Sequence, residues 1–101
     1  MTISRQFKES PILQGVDEKI AYQLTTTPWG SSPGSVTVVL KDAESVDVSA
    51  TCLSGSASVS GNVITTPLVQ SLVAGQAYRL EIKFTCGSNV FEAWGEIRGE
   101  V

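Results

Sequence analysis

Residues 71–86, SLVAGQAYRLEIKFTC, sort their side chains with great regularity: Tyr78, Leu80, Ile82, Phe84 and Cys86 alternate with Arg79, Glu81, Lys83 and Thr85. Successive strand side chains point to opposite faces, so this order places the apolar groups on one side and the polar groups on the other. A helix would spread the same residues around its circumference. The period recurs upstream. In EKIAYQLT, Ile20, Tyr22 and Leu24 oppose Lys19, Ala21 and Gln23. In SVTVVLKD, Val36, Val38 and Leu40 share a face, with Thr37 and Lys41 opposite. In ESVDVSATC, Val46, Val48, Ala50 and Cys52 are expected to face inward along a further strand, against Asp47, Ser49 and Thr51. Shorter strands are expected at 5–8, 56–60, 63–66 and 91–97.

Turn residues punctuate these runs: Pro11 and Gly15, then TPWGSSPG, then Gly61-Asn62, then Gly87-Ser88-Asn89. Gly61-Asn62 predicts a tight hairpin, because glycine reaches positive φ without strain and asparagine tolerates it. No segment has a helical period. Seven or eight short strands in about 100 residues predict an all-β, antiparallel β-sandwich of the immunoglobulin or fibronectin III type, with about seven strands, in one domain over 1–101. A small closed barrel is the competing architecture. Within such a sandwich, Leu72, Gly75 and Tyr78 match a tyrosine corner. Gly75 makes the turn, Leu72 packs beneath it, and the Tyr78 hydroxyl bonds to backbone in the preceding loop. A plain core tyrosine opening a strand is the alternative.

Composition narrows the chemistry. The 101 residues are 42% hydrophobic and 17% charged, as in an ordinary folded domain. The net charge of −3, with Lys and Arg scattered singly, argues against nucleic acid as a partner. The opening MTISRQFKES lacks the apolar centre of a signal peptide, and no apolar run is long enough for a membrane. The chain is therefore expected to stay in the cytoplasm of the cell that makes it. The absence of histidine excludes Ser-His-Asp and Cys-His catalysis and the histidine-bearing zinc patterns. No stretch matches a phosphate-cradling loop. Asp42, Glu44 and Asp47 are close enough in sequence to suggest Ca2+ or acid–base work. A solvated loop explains them as well, and no metal, cofactor or catalytic residue is expected.

Cys52 and Cys86 share inward parity, so a disulfide between them is one reading; two free buried thiols are expected instead, since cytosolic thiols stay reduced. Trp29, shaped by Pro28 and Gly30, is expected to plug one end of the sandwich, with an exposed binding role as the alternative. Phe91, Ala93, Gly95 and Ile97 form the inward set of the last strand. That puts Trp94 outside with Glu92 and Glu96, where an aromatic suits a protein contact. A bulge at Gly95 would instead turn Trp94 inward.

Four stretches carry a wider likeness: FKESP, AYQLTTTPWG, VDVSATCLSGSASVSGNVITTPLV and LVAGQAYRLEIKFTCGSNVFEAWGEIR. Phe7, Lys8 and Pro11, then Tyr22, Leu24 and Trp29, then Gly75 and Tyr78, then Phe91 and Glu92 stand where small structural proteins of tailed bacteriophages and prophages carry similar groups. The chain resembles that family of fibre-tail adaptor or virion proteins over nearly its whole length. It departs from the pattern at Cys52 and Cys86, where members usually have apolar residues, at Gly95, where they have a larger one, and at Asp17-Glu18. The resemblance implies an Ig-like domain with no enzyme activity and no cofactor. It implies other virion or tail proteins as partners, and a life in the bacterial cytoplasm during assembly and then in the virion. Lys8 and Pro11 look like edge protection, so a monomer or weak oligomer is expected in isolation. A carbohydrate- or cell-surface-binding module is the alternative, resting on Trp29 and Trp94. A small hydrolase using Asp42 and Glu44 is a distant third.

Overall fold

The alternation at 78–86 becomes the spine of the fold. A computed structural model describes residues 11–101. Within them the elements are β1 (Ile12–Gly15), β2 (Gln23–Thr25), β3 (Gly34–Asp42), α1 (Ser49–Cys52), β4 (Leu53–Ser54), β5 (Ser58–Ser60), β6 (Val63–Thr65), β7 (Leu68–Val69), β8 (Ala77–Cys86) and β9 (Asn89–Glu100). The strand expected at 5–8, with Phe7 and Lys8, lies outside the described residues.

The chain is all-β, with sheets packed against one another. One sheet has the order β1-β9-β8-β3, with β1 parallel to β9 and the other pairs antiparallel. Facing it are β2-β6-β5 and the short pair β4-β7. These two small sheets belong to one layer: the isolated Ile20–Val69 pair extends the β2–β6 ladder past Pro67 to β7. Proline has no N–H to donate, so a ladder running through it is interrupted. Counted as continuous runs, β4 with β5 and β6 with β7 are two strands broken in the middle.

Two clusters fill the space between the layers. Leu40, Cys52, Val69, Leu72, Tyr78, Leu80 and Ile97 form one; Ile64, Ile82, Phe84, Cys86 and Ala93 form the other. Strand β8 supplies both, because its inward residues from Tyr78 to Cys86 are all buried. Both hairpins place glycine at the first central position of a two-residue turn. Gly61 has φ +57 between the paired Ser60 and Val63, and Gly87 has φ +62 between Cys86 and Asn89. That conformation costs an L side chain energy and glycine nothing.

The loop before β8 is tied down at three points. The Tyr78 hydroxyl accepts a hydrogen bond from Val73 N–H at 2.9 Å, and Leu72 is buried beside the ring. Gly75, at φ +81, donates its N–H to Gly99 O at 3.0 Å, and Gly99 N–H donates to Gln76 O. A Cβ on Gly99 would stand 2.4 Å from Val73 O, so only glycine lets this loop lie against β9. At the other edge, Gln14 is fully buried in β1. Its amide donates to Glu18 O and Val69 O, and its carbonyl oxygen accepts from the Tyr22 hydroxyl at 2.6 Å. Every polar group of that side chain is thus used, which is what burial of an amide requires.

One expectation is overturned. Residues 46–52 do not form a strand: Val46 is exposed, Val48 and Cys52 face the core, and Ala50 is exposed. That is i, i+4 spacing, and the chain makes one helical turn, with Cys52 N–H donating to Val48 O. Local bonds decide it. Asp47 Oδ1 accepts from Ser49 N–H, while Ser49 Oγ and Val48 N–H are drawn to the backbone of Leu40 on the β3 edge. A short polar side chain bonding its own backbone competes with a ladder.

Candidate functional site

The outer face of β3, β8 and β9 carries the other half of the alternation. A two-residue turn joins β8 to β9, so their register is uninterrupted from Ala77–Arg98 to Cys86–Asn89. No bulge intervenes at Gly95, and Trp94 stays on the outer side. The cross-strand rows are Lys41-Arg79-Glu96, Val39-Glu81-Trp94 and Thr37-Lys83-Glu92. Trp94 therefore sits among charged neighbours on an open sheet, partly exposed.

The electrostatics are specific. Arg79 Nε donates to Glu81 Oε2 at 2.7 Å, and Lys41 Nζ lies 3.3 Å from Glu81 Oε1. The Arg79 guanidinium also lies over the Trp94 ring, 4.3 Å from its centroid. A cation in that position is attracted by the ring quadrupole. Further along β9, Arg98 pairs with Glu96. Between Thr37, Val39, Lys83, Glu92 and Trp94 lies an open depression of about 310 Å3. That is the size of a few side chains, at the lower limit of small-molecule sites.

The expected site residues divide between two places. Trp94, Glu92 and Glu96 share the outer face of β9. Trp29 is elsewhere, packed on Phe84 at 5.7 Å between ring centroids, at the Cys86 end of the core. A turn in which Trp29 and Gly30 N–H both donate to Thr26 O holds it there. Its Nε1–H is buried without a partner among the described residues. Cys52 and Cys86 are free and buried, in separate core clusters. Burial pushes the Cys52 thiol above its usual pKa, which keeps it protonated and inert. Asp42 and Asp47 are engaged in local turns: Asp42 Oδ1 accepts from Glu44 and Val46 N–H, and Asp47 Oδ1 from Ser49 N–H. The hydrogen bonds from Ser49 hold Asp47 below the ordinary carboxylate pKa. Among the described residues, no group of three His, Cys, Asp or Glu is placed to hold a metal.

Sequence reasoning did not assign Arg79, Glu81, Lys83, Lys41 and Val39 to the site. The signal was present for the first three. They are the polar half of the 78–86 alternation, and a two-residue turn at Gly87-Ser88 pairs Glu81 with Trp94 by counting outward. The β3 neighbours had no such marker, since β3 lies far away in the chain.

Comparison with protein-family models finds no match, and comparison with curated proteins finds no significant one.

Proposed function

We propose that this chain is an immunoglobulin-like, non-enzymatic module that acts by protein–protein contact through the outer face of its four-stranded sheet. Its setting is a phage or prophage particle, where it serves as a structural or adaptor protein among other virion or tail proteins. The strand order β1-β9-β8-β3 opposite β2-β6-β5 supports the immunoglobulin-like assignment, as does the Tyr78 hydroxyl bonded to the loop before its own strand. The likeness of the Phe-Lys-x-x-Pro, Tyr/Leu-to-Trp and Gly-x-x-Tyr stretches to small virion proteins supports the setting.

The observation that carries the contact reading is Trp94. It is a large aromatic on the solvent side of a central strand, oriented by Arg79 and bordered by an open depression. Aromatic and arginine side chains dominate the energetics of interfaces. Stacking on a sugar needs a free ring face, and Arg79 occupies one face of Trp94 while Trp29 packs into the core. This favours protein contact over carbohydrate binding.

The test is incorporation into particles. Particles from an induced culture of the encoding cells are expected to contain the protein, and to lose it when Trp94→Ala replaces the wild type. Particles without the protein, or a Trp94→Ala variant incorporated normally, would refute the assignment. A tryptophan-fluorescence response to sugars would point to the carbohydrate alternative.

A further inference from the structure

Strand β5 is an open edge, and the parity of its neighbour shows which of its groups are unmet. Thr66 N–H donates to Tyr22 O and Thr26 N–H to Asn62 O, so residues 62, 64 and 66 of the β6 run bond to the β2 side. Val63 and Thr65 therefore bond to their β5 partners, Ser60 and Ser58. Val59, opposite Ile64, directs its N–H and C=O the other way, off the sheet. Among the described residues nothing donates to or accepts from them. All of β5 is exposed, and the Val59 residue is 43% exposed. Free backbone groups beside an exposed aliphatic side chain are a template for another strand. The edges of the four-stranded sheet are interrupted instead. On β3, segment 46–49 bonds to Leu40 and Asp42, and the register shifts between Gly34 and Thr37. On β1, Pro11 precedes the strand and the Glu18 carboxylate accepts from Gly15 N–H. Charge follows the same division. Residues 20–40 and 48–78 contain no Asp, Glu, Lys or Arg, so β2, β4, β5, β6 and β7 are uncharged within a chain of net −3.

We propose that β5 pairs antiparallel with β5 of a second copy of this chain, about a two-fold axis at Val59. The register that sets Val59 opposite Val59 also sets Ser58 opposite Ser60 and Ala57 opposite Gly61. Hydroxyl then meets hydroxyl on the outer side of the sheet, and small apolar groups meet on the inner side, so the strand matches its own reverse. The Val59 N–H and C=O of each copy bond to those of the other, and the exposed Val59 side chains cover one another. The three strands β2-β6-β5 of each copy become one continuous sheet. No charge lies at the joint, so two acidic chains meet there without local repulsion. Such a joint is isologous and closes at two copies. It is weak, because only residues 57–61 of each chain form it. Because β5 belongs to the layer opposite Trp94, pairing leaves the outer face of β3, β8 and β9 open in both copies. The inference therefore goes beyond the reading of that face and does not rest on it.

Sedimentation velocity and amide hydrogen exchange of the purified chain, each over a range of concentrations, test it. The wild type is expected to pass from monomer to dimer and no further, with little dependence on salt because the joint is uncharged. The Val59 amide is expected to exchange fast in the dilute chain and to gain protection as the dimer forms. Its neighbours Ser58 and Ser60, bonded to β6, keep their protection throughout. Val59→Pro removes a donor that the β5–β6 ladder does not use, so the variant should fold and stay monomeric. Val59→Lys places two like charges at the axis without constraining the backbone, and should weaken dimerisation by about tenfold or more. Circular dichroism checks that both variants are folded, and Trp94→Ala should dimerise as the wild type does. A wild type that is monomeric at every concentration overturns the inference. So does a Val59 amide already protected in the dilute chain, which would mean that another part of the same chain holds this edge. Dimers that survive Val59→Lys but not Trp94→Ala would put the joint on the other sheet and overturn it as well. Each of these failures leaves the particle test of Trp94 standing, because the two surfaces lie on opposite layers.

Discussion

The two faces of β8 and β9 share one backbone and differ in what selects their side chains. Inward, Leu80, Ile82, Phe84, Ala93 and Ile97 are at most 1% exposed, and their neighbours are fixed by the opposite layer. Outward, among the described residues, Arg79, Glu81, Lys83, Glu92 and Trp94 pair with one another and with β3. The inner set answers to packing, where a lost methylene is felt across the domain. The outer set makes surface ion pairs and a cation–π contact, interactions that add little to stability. It is on this ordered outer arrangement that the proposed contact rests.

The difference can be tested, beginning with the largest expected effect. Phe84→Ala removes the ring on which Trp29 and Phe91 both pack, and should destabilise by about 3–5 kcal/mol in chemical denaturation. A cost as small as that of an outer-face change would erase the distinction between the faces. Tyr78→Phe keeps the ring and strands Val73 N–H, so a loss of about 1–3 kcal/mol is expected. Its signature is faster local hydrogen exchange in the Gly75 loop.

Tyr22 should show itself by pH. Burial, with a contribution from Glu18, pushes its phenol from 10.0 up to about 12. Between those values the unfolded chain gives up the proton that the folded chain keeps. The contribution to stability is therefore whole below pH 10 and falls as the pH rises toward 12. Tyr22→Phe should flatten that part of the curve, with a modest amplitude because water reaches part of the ring. Smaller still, Trp94→Ala should cost less than about 1 kcal/mol of folding stability, the scale of an exposed cation–π contact, while removing the protein from particles. Global unfolding by that change would place Trp94 among the packing residues. At the bottom of the scale, Lys41→Ala removes an exposed ion pair with Glu81, and a shift within about 0.5 kcal/mol is expected in thermal melts.

Two stretches with the same alternation, 46–52 and 78–86, show how far pattern reaches. In the second, five inward residues are long enough a run to bury, and strands on both sides complete the ladder. In the first, Asp47 and Ser49 can bond neighbouring backbone, and the segment arrives at the end of β3, where Leu40 and Asp42 still offer hydrogen-bonding groups. The chain takes those local bonds and turns. The letters of ESVDVSATC offer the Asp47–Ser49 bond but not the Leu40 and Asp42 backbone groups that complete the turn, because those come from another strand. The candidate site divides in the same way. Trp94 with Glu92 and Glu96 was visible from the parity of the last strand, whereas Val39 and Lys41 entered only through the β3–β8 pairing.

Alternation and turn residues by themselves determined that this chain makes strands, which side of β8 and β9 turns inward, and where the hairpins fall. Those properties depend on stereochemistry within a few residues, and any fold using these strands would keep them. Tertiary structure decided which strands lie side by side, and so brought the Lys41, Arg79 and Glu81 charges around Trp94. It also gave α1 to a segment patterned as a strand. Such outcomes depend on groups far apart in the chain, whose meeting is governed by the packing of the whole.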